Sequence, residues 1–270
     1  MSKLLIHHIS SPVSLILKTI VSVFLTLFIF AGNNATQAQV STKDSIVSGF
    51  IIDVSYGFHM PGGDLKERFG LSSSAGASLV YKTKQNLLFG LNYNFEFGGD
   101  VLIEDSIFQH LYTQEGFIID GDGLYTEVFT YERGWYGLGK IGMIFPVLGP
   151  NKNCGPFIMV GGGYMMHKIR IYNQDMTAPQ IKDEYKKGYD RLTGGYCLYQ
   201  QIGYNFIGNR KAYSFNISFE ILEAFTKPLR NYQFDLMGPE PQDTRLDLLY
   251  GFRVSWMIPL FRQPSDGYYF

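Results

Sequence analysis

The fold class this sequence predicts is a transmembrane antiparallel up-and-down β-barrel of eight strands. Three observations predict it: one long strand of strict alternation, the recurrence of that pattern along the chain, and connections that are alternately long and short. The long strand spans 246–261. There Leu246, Leu248, Tyr250, Phe252, Val254, Trp256, Ile258 and Leu260 occupy every second position. Between them lie Asp247, Leu249, Gly251, Arg253, Ser255 and Met257. A period of two makes one greasy face and one mixed face. At about 3.3 Å per residue, such a strand is long enough to cross a bilayer at a tilt. Arg253 sits mid-strand on the mixed face, which a membrane strand tolerates only where that face looks into a barrel.

The other strands follow in order. The first, 47–59, sets Phe50, Ile52, Val54, Tyr56 and Phe58 against Asp53, Ser55 and Gly57, and Pro61-Gly62-Gly63-Asp64 is expected to break it. The second, 74–82, alternates Leu79 and Tyr81 with Gly76 and Ser78; the third, 87–97, alternates Phe89, Leu91, Tyr93 and Phe95 with Gly90, Asn92, Asn94 and Glu96. An acidic connection, 98–127, leads to 128–145, where Phe129, Tyr131, Trp135, Ile141 and Met143 oppose Thr130, Glu132, Tyr136 and Lys140. In 157–172, Gly161-Gly162-Gly163 leaves open a bulge that would switch the face, and with it the direction of Lys168 and Arg170. The remaining strands are 192–206 and 213–225, ahead of 246–261 and a tail, 262–270. Four connections are long (from 60, 98, 173 and 227) and three are short (from 83, 146 and 207). An even strand count with short turns at one end and long loops at the other is the pattern of a membrane barrel.

Residues 1–38 are expected to be a cleaved signal peptide, leaving 39–270 as one barrel domain. Lys3 and Lys18 precede an apolar stretch over 19–32, and Thr36-Gln37-Ala38 puts small residues at −3 and −1 of a cleavage site. That stretch is shorter than the ~18 residues a spanning helix needs. A net charge of −1 without any basic run argues against nucleic-acid binding. Aromatics at 16% and 30 glycines suit strands with lipid-facing girdles and a crowded interior. Cys154 falls at a turn and Cys197 well along a neighbouring strand, too far apart for the ~7 Å limit between bridged Cα atoms, so two free thiols are expected.

The alternative architecture is a soluble eight-stranded barrel of the lipocalin sort, with the apolar face inside. Against it, the face opposite the aromatic stripes carries Asp53, Asn92, Asn94, Glu96, Glu132, Lys140, Asn216, Glu220 and Arg253. On this pattern and topology the region from Val47 to Phe270 resembles the small eight-stranded outer-membrane barrels of the OmpX and OmpW type and the membrane domain of OmpA. The terminal Tyr268-Tyr269-Phe270 is similar to the aromatic-x-Phe ending by which such barrels are recognised for assembly, although Pro264-Ser265-Asp266-Gly267 separates it from the last strand. The resemblance implies a Gram-negative cell outer membrane, contact with its lipids and lipopolysaccharide, and the barrel-assembly machinery as a partner during biogenesis.

For chemistry, the expected site is a polar lumen network of Asp53, Glu96, Glu132, Lys140, Glu220 and Arg253, with Arg253 pairing one or both of Asp53 and Glu220 because an isolated buried charge is costly. It reads as structural packing, since eight strands enclose only enough room for side chains. No catalytic residues, cofactor or metal are expected. His59, His110 and His167 are the candidates for lipid A-modifying chemistry at a membrane rim, and none has a spacing that demands it. Asp120-Gly121-Asp122-Gly123 lacks a complete calcium loop and reads as a turn. Long loops bearing Tyr112, Phe117, Tyr125, Tyr185 and Tyr189 suggest a structural or interaction role, as a subunit of an envelope complex for secretion or barrel assembly. The alternatives are a narrow channel for small or hydrophobic solutes and, behind it, a lipid-modifying enzyme.

Overall fold

The computed structural model describes residues 46–173, 177–208 and 213–261. The expected signal peptide and the aromatic terminus therefore lie outside the described residues. The described residues form ten strands: β1 (Gly49–Gly63), β2 (Ser72–Lys82), β3 (Leu87–Gly98), β4 (Ile118–Ile119), β5 (Tyr125–Thr126), β6 (Val128–Ile144), β7 (Gly155–Asn173), β8 (Thr193–Phe206), β9 (Phe215–Pro228) and β10 (Arg245–Phe261). Eight of them close a ring in the order β1-β10-β9-β8-β7-β6-β3-β2, while β4 and β5 form a separate small hairpin. Every ring neighbour is antiparallel, and β10 returns to β1 from Gly49↔Phe261 up to Gly63↔Asp247. From Gly49 to His59, β1 has a neighbour on each side, which closes the ring.

The alternation read from the sequence sets what faces where. Leu91, Tyr196 and Phe252 keep 68, 78 and 65% of their surface exposed, and their strand neighbours Asn92, Cys197 and Arg253 are buried. A soluble barrel would invert that arrangement. An apolar, aromatic outer wall around a polar interior is the arrangement of a transmembrane β-barrel. In β7 the buried and exposed positions keep one phase through the glycine run, and the pairing with β6 and β8 advances without interruption. There is no bulge, so Lys168 and Arg170 point outward and His167 inward.

The expected break after 59 does not occur. β1 continues through Pro61 and Gly62 to Gly63, because β2 starts only at Ser72, opposite His59. Beyond that point β1 is paired on one side alone, so Pro61 faces an open edge where its missing N–H costs no ladder bond. Gly63, at φ +57°, then turns the chain, and a Cβ there would lie 2.1 Å from the Leu246 carbonyl oxygen.

The lumen is layered rather than polar throughout. Its lower layer, beside the short turns, is apolar: Ile51, Val80, Leu88, Ile144, Phe157 and Met257. Below it, Lys82 Nζ donates to the Val47 carbonyl and to Asn153 Oδ1, both at 2.9 Å, and closes that end. At the other end the long connections fold inward instead of projecting freely. Leu65 and Phe69 from the first, Ile107, Phe108 and Ile118 from the second, and Ala178, Ile181 and Tyr189 from the third share one buried cluster with Ile169 and Ile171 of β7. The short helix α1 (Glu104–Phe108) and the β4–β5 hairpin exist because they bury these side chains, a tertiary effect no local propensity announces. Both cysteines are free and buried.

Candidate functional site: the polar interior

Between the two apolar layers lies the ion network. β10 points Arg253 into the lumen one diagonal step from Glu220 of β9, whose ladder partner is Gly251, and both side chains are 2% exposed. The guanidinium grips the carboxylate as a fork, Nε to Oε2 at 2.7 Å and Nη2 to Oε1 at 2.8 Å. Nη1 donates to Ser55 Oγ (2.6 Å) and Asn94 Oδ1 (2.8 Å), and Nη2 also lies within reach of Tyr136 Oη (2.6 Å) and Ser74 Oγ (3.2 Å). Glu220 also lies 2.7 Å from His59 Nε2 and accepts from the Tyr199 hydroxyl. A buried charge pair costs desolvation that only such complete hydrogen bonding offsets.

A second cluster sits nearer the loops. Asp247 of β10 takes Arg68 Nη2 at 2.7 Å, His167 Nε2 at 3.0 Å and Thr226 Oγ1 at 2.6 Å. Arg68 comes from the first connection, so this ion pair ties the inward-folded plug to the barrel wall.

The six residues expected to form the lumen network are all buried, but they do not form one unit. Arg253 pairs with Glu220 and not with Asp53, which accepts instead from the Ser78 hydroxyl. Lys140 lies 5.3 Å from the Tyr199 ring centre as a cation–π contact. Glu96 accepts from Ser72 Oγ at 3.2 Å. Among the described residues, Glu96 Oε2 and Glu132 Oε1 have no hydrogen-bond partner. Near Asp53, Lys140 and Arg253 a cavity of about 30 Å³ remains, room for a water rather than a solute.

The histidines correct the expectation of a membrane-rim setting. His59 and His167 are buried in the two ion clusters, whereas His110 is exposed, beside Gln109. Their strand parity carried the signal: His59 shares the phase of Asp53 and Ser55, and His167 that of Gly161 and Gly163. Arg68 had no such signal, because a loop has no period. In the second loop, Asp120 Oδ1 accepts from the backbone N–H groups of Asp122 and Leu124 at 2.9 and 2.8 Å, an Asx-type turn.

No family model matches the chain, and no curated protein gives a significant match. Solved structures with a similar arrangement are known. Ail, the attachment invasion locus protein of Yersinia pestis, solved with the heparin analogue sucrose octasulfate, is 7% identical with a TM-score of 0.40; the match covers 78% of this chain and 99% of that one. Neisserial surface protein A is 10% identical, with a TM-score of 0.38 over 78% of this chain and 97% of its own. OprG from Pseudomonas aeruginosa is 11% identical, with a TM-score of 0.39 over 81% and 99%. These neighbours are small outer-membrane barrels. The chain is similar to them, as the strand pattern implied, and its own ring and register carry the fold.

Proposed function

We propose that this chain is an outer-membrane β-barrel with a structural or interaction role, a subunit of an envelope complex that engages its partner through the surface of its loops. The observation that carries this reading is the filling of the lumen among the described residues, by an apolar layer beside the short turns and by inward-folded loops at the other end. What stays available is the outer face of the loops, where Leu124, Tyr125, Tyr185, Tyr232 and Met237 are exposed and Phe117 stacks on Tyr125 at 5.2 Å. Aromatic side chains held rigid at a surface are common anchors of protein interfaces. In this reading the barrel is not an enzyme, and its buried histidines serve the ion clusters. It reaches the outer membrane by a cleaved signal and the barrel-assembly machinery.

Copurification from mild detergent tests the role. A stoichiometric partner that is lost in a Tyr125→Ser/Tyr185→Ser variant supports it. Steady conductance of the pure protein in planar bilayers would instead favour a narrow channel.

A further inference from the structure

The outer wall over β6 and β7 differs from the rest of the barrel. Near the loop end, the ladder places Arg133 directly opposite Lys168, both facing outward, and Arg170 is the next outward residue on β7. Like charges directly across a strand pair are destabilising. Among the described residues none of the three cations is in an ion pair; the Glu132 carboxylate, turned inward, reaches Arg133 only electrostatically. Arg133 donates to its neighbour's backbone, the Glu132 carbonyl, at 2.6 Å and lies 5.2 Å from the Tyr131 ring centre. A fold gains nothing from such a cluster unless an anion completes it.

Immediately below this cluster runs a row of aromatic rings at the level of a membrane interface. Trp135 stands 5.9 Å from Tyr93 and 6.1 Å from Tyr164, which in turn stands 5.7 Å from Tyr196. Below the row the wall is recessed. Gly139 of β6 and Gly162 of β7 face outward there, between Leu91, Ile141, Val160 and Leu198, and Gly137 is the outward position of β6 just above. Crowding does not require glycine there: a Cβ would meet nothing nearer than 4.0 Å at Gly137 and Gly139 and 3.4 Å at Gly162. On the inner face, by contrast, a Cβ at Gly163 would lie 1.8 Å from the Gly137 carbonyl oxygen.

We propose that this wall binds one anionic phospholipid, with its phosphate held by Arg133, Lys168 and Arg170 and an acyl chain laid in the glycine recess below. Headgroup and chain fall on the same two strands, one above the aromatic row and one beneath it. A soluble polyanion has no use for the recess, and a zwitterionic lipid leaves the three cations uncompensated. The site rests on the membrane reading and is independent of any loop partner.

The test uses the folded full chain in neutral detergent, titrated with phosphatidylglycerol, phosphatidylcholine or glycerol phosphate and read by native mass spectrometry. One phosphatidylglycerol is expected to bind in preference to the other two. A cation near a membrane surface contributes about fivefold, so Lys168→Gln/Arg170→Gln should weaken that binding roughly thirtyfold. Gly139→Leu/Gly162→Leu should weaken it as well with every charge intact, since those side chains project from the wall. Unchanged phosphatidylglycerol binding in either variant overturns the proposal, as does glycerol phosphate or phosphatidylcholine binding as tightly. A wild-type chain that stays monomeric in water without detergent would defeat the membrane reading itself, a separate outcome.

Discussion

Arg253 is the residue on which the interior turns. Replacing it by Met leaves Glu220 buried with only His59 and Tyr199, and breaking a buried pair costs about 3–5 kcal/mol. Urea unfolding followed by the fluorescence of Trp135 and Trp256 should show that loss, whereas an Arg253→Met/Glu220→Leu double variant should recover part of it. At the loops, the Leu124 backbone N–H holds the Asp120 carboxyl below the usual carboxylate range. A depressed value in the folded state means the turn's contribution is present above the ordinary carboxylate pKa and lost only as pH falls through the lowered one. The amide shifts of Asp122 and Leu124 should therefore hold steady from about pH 7 down to about pH 4 and move below that. Burial pushes the Cys154 thiol up, and both thiols are enclosed. A water-soluble maleimide should leave the native protein unmodified and label both cysteines after heating in SDS.

At the scale of elements, tight packing of neighbouring backbones decides which substitutions a strand accepts. Gly163→Leu forces a side chain into the β6 backbone and should abolish the heat-dependent gel shift of a folded barrel, while Gly139→Leu, pointing into open space, should preserve it. The eight ring strands were legible in the sequence because the period of two is local and repeats in phase. Pro61 misled for a physical reason: proline blocks a strand only where its N–H is needed, and β1 at that height has a single neighbour. The partners of Arg253 were half legible. Parity placed Asp53, Glu220 and Arg253 on one face, but the stagger that brings Glu220 rather than Asp53 to the guanidinium belongs to the closed ring.

For the whole molecule, the layered lumen predicts silence in planar bilayers. Even a Leu65→Ala/Phe69→Ala variant that loosens the loop plug should not conduct steadily, because Ile51, Phe157 and Met257 still fill the opposite end. The sequence held no sign of this plug. Its apolar members, such as Ile107, Ile118 and Ile181, are scattered through polar connections and meet only once the barrel brings the loops together. Caps at both mouths also isolate the central charges from the surrounding electrolyte. Mobile ions screen exposed pairs such as Lys187–Glu184 over a Debye length of about 8 Å in physiological saline. The guanidinium at the barrel's centre is only 2% exposed, so raising the ionic strength should loosen the loop surface and leave the middle of the molecule as rigid as before.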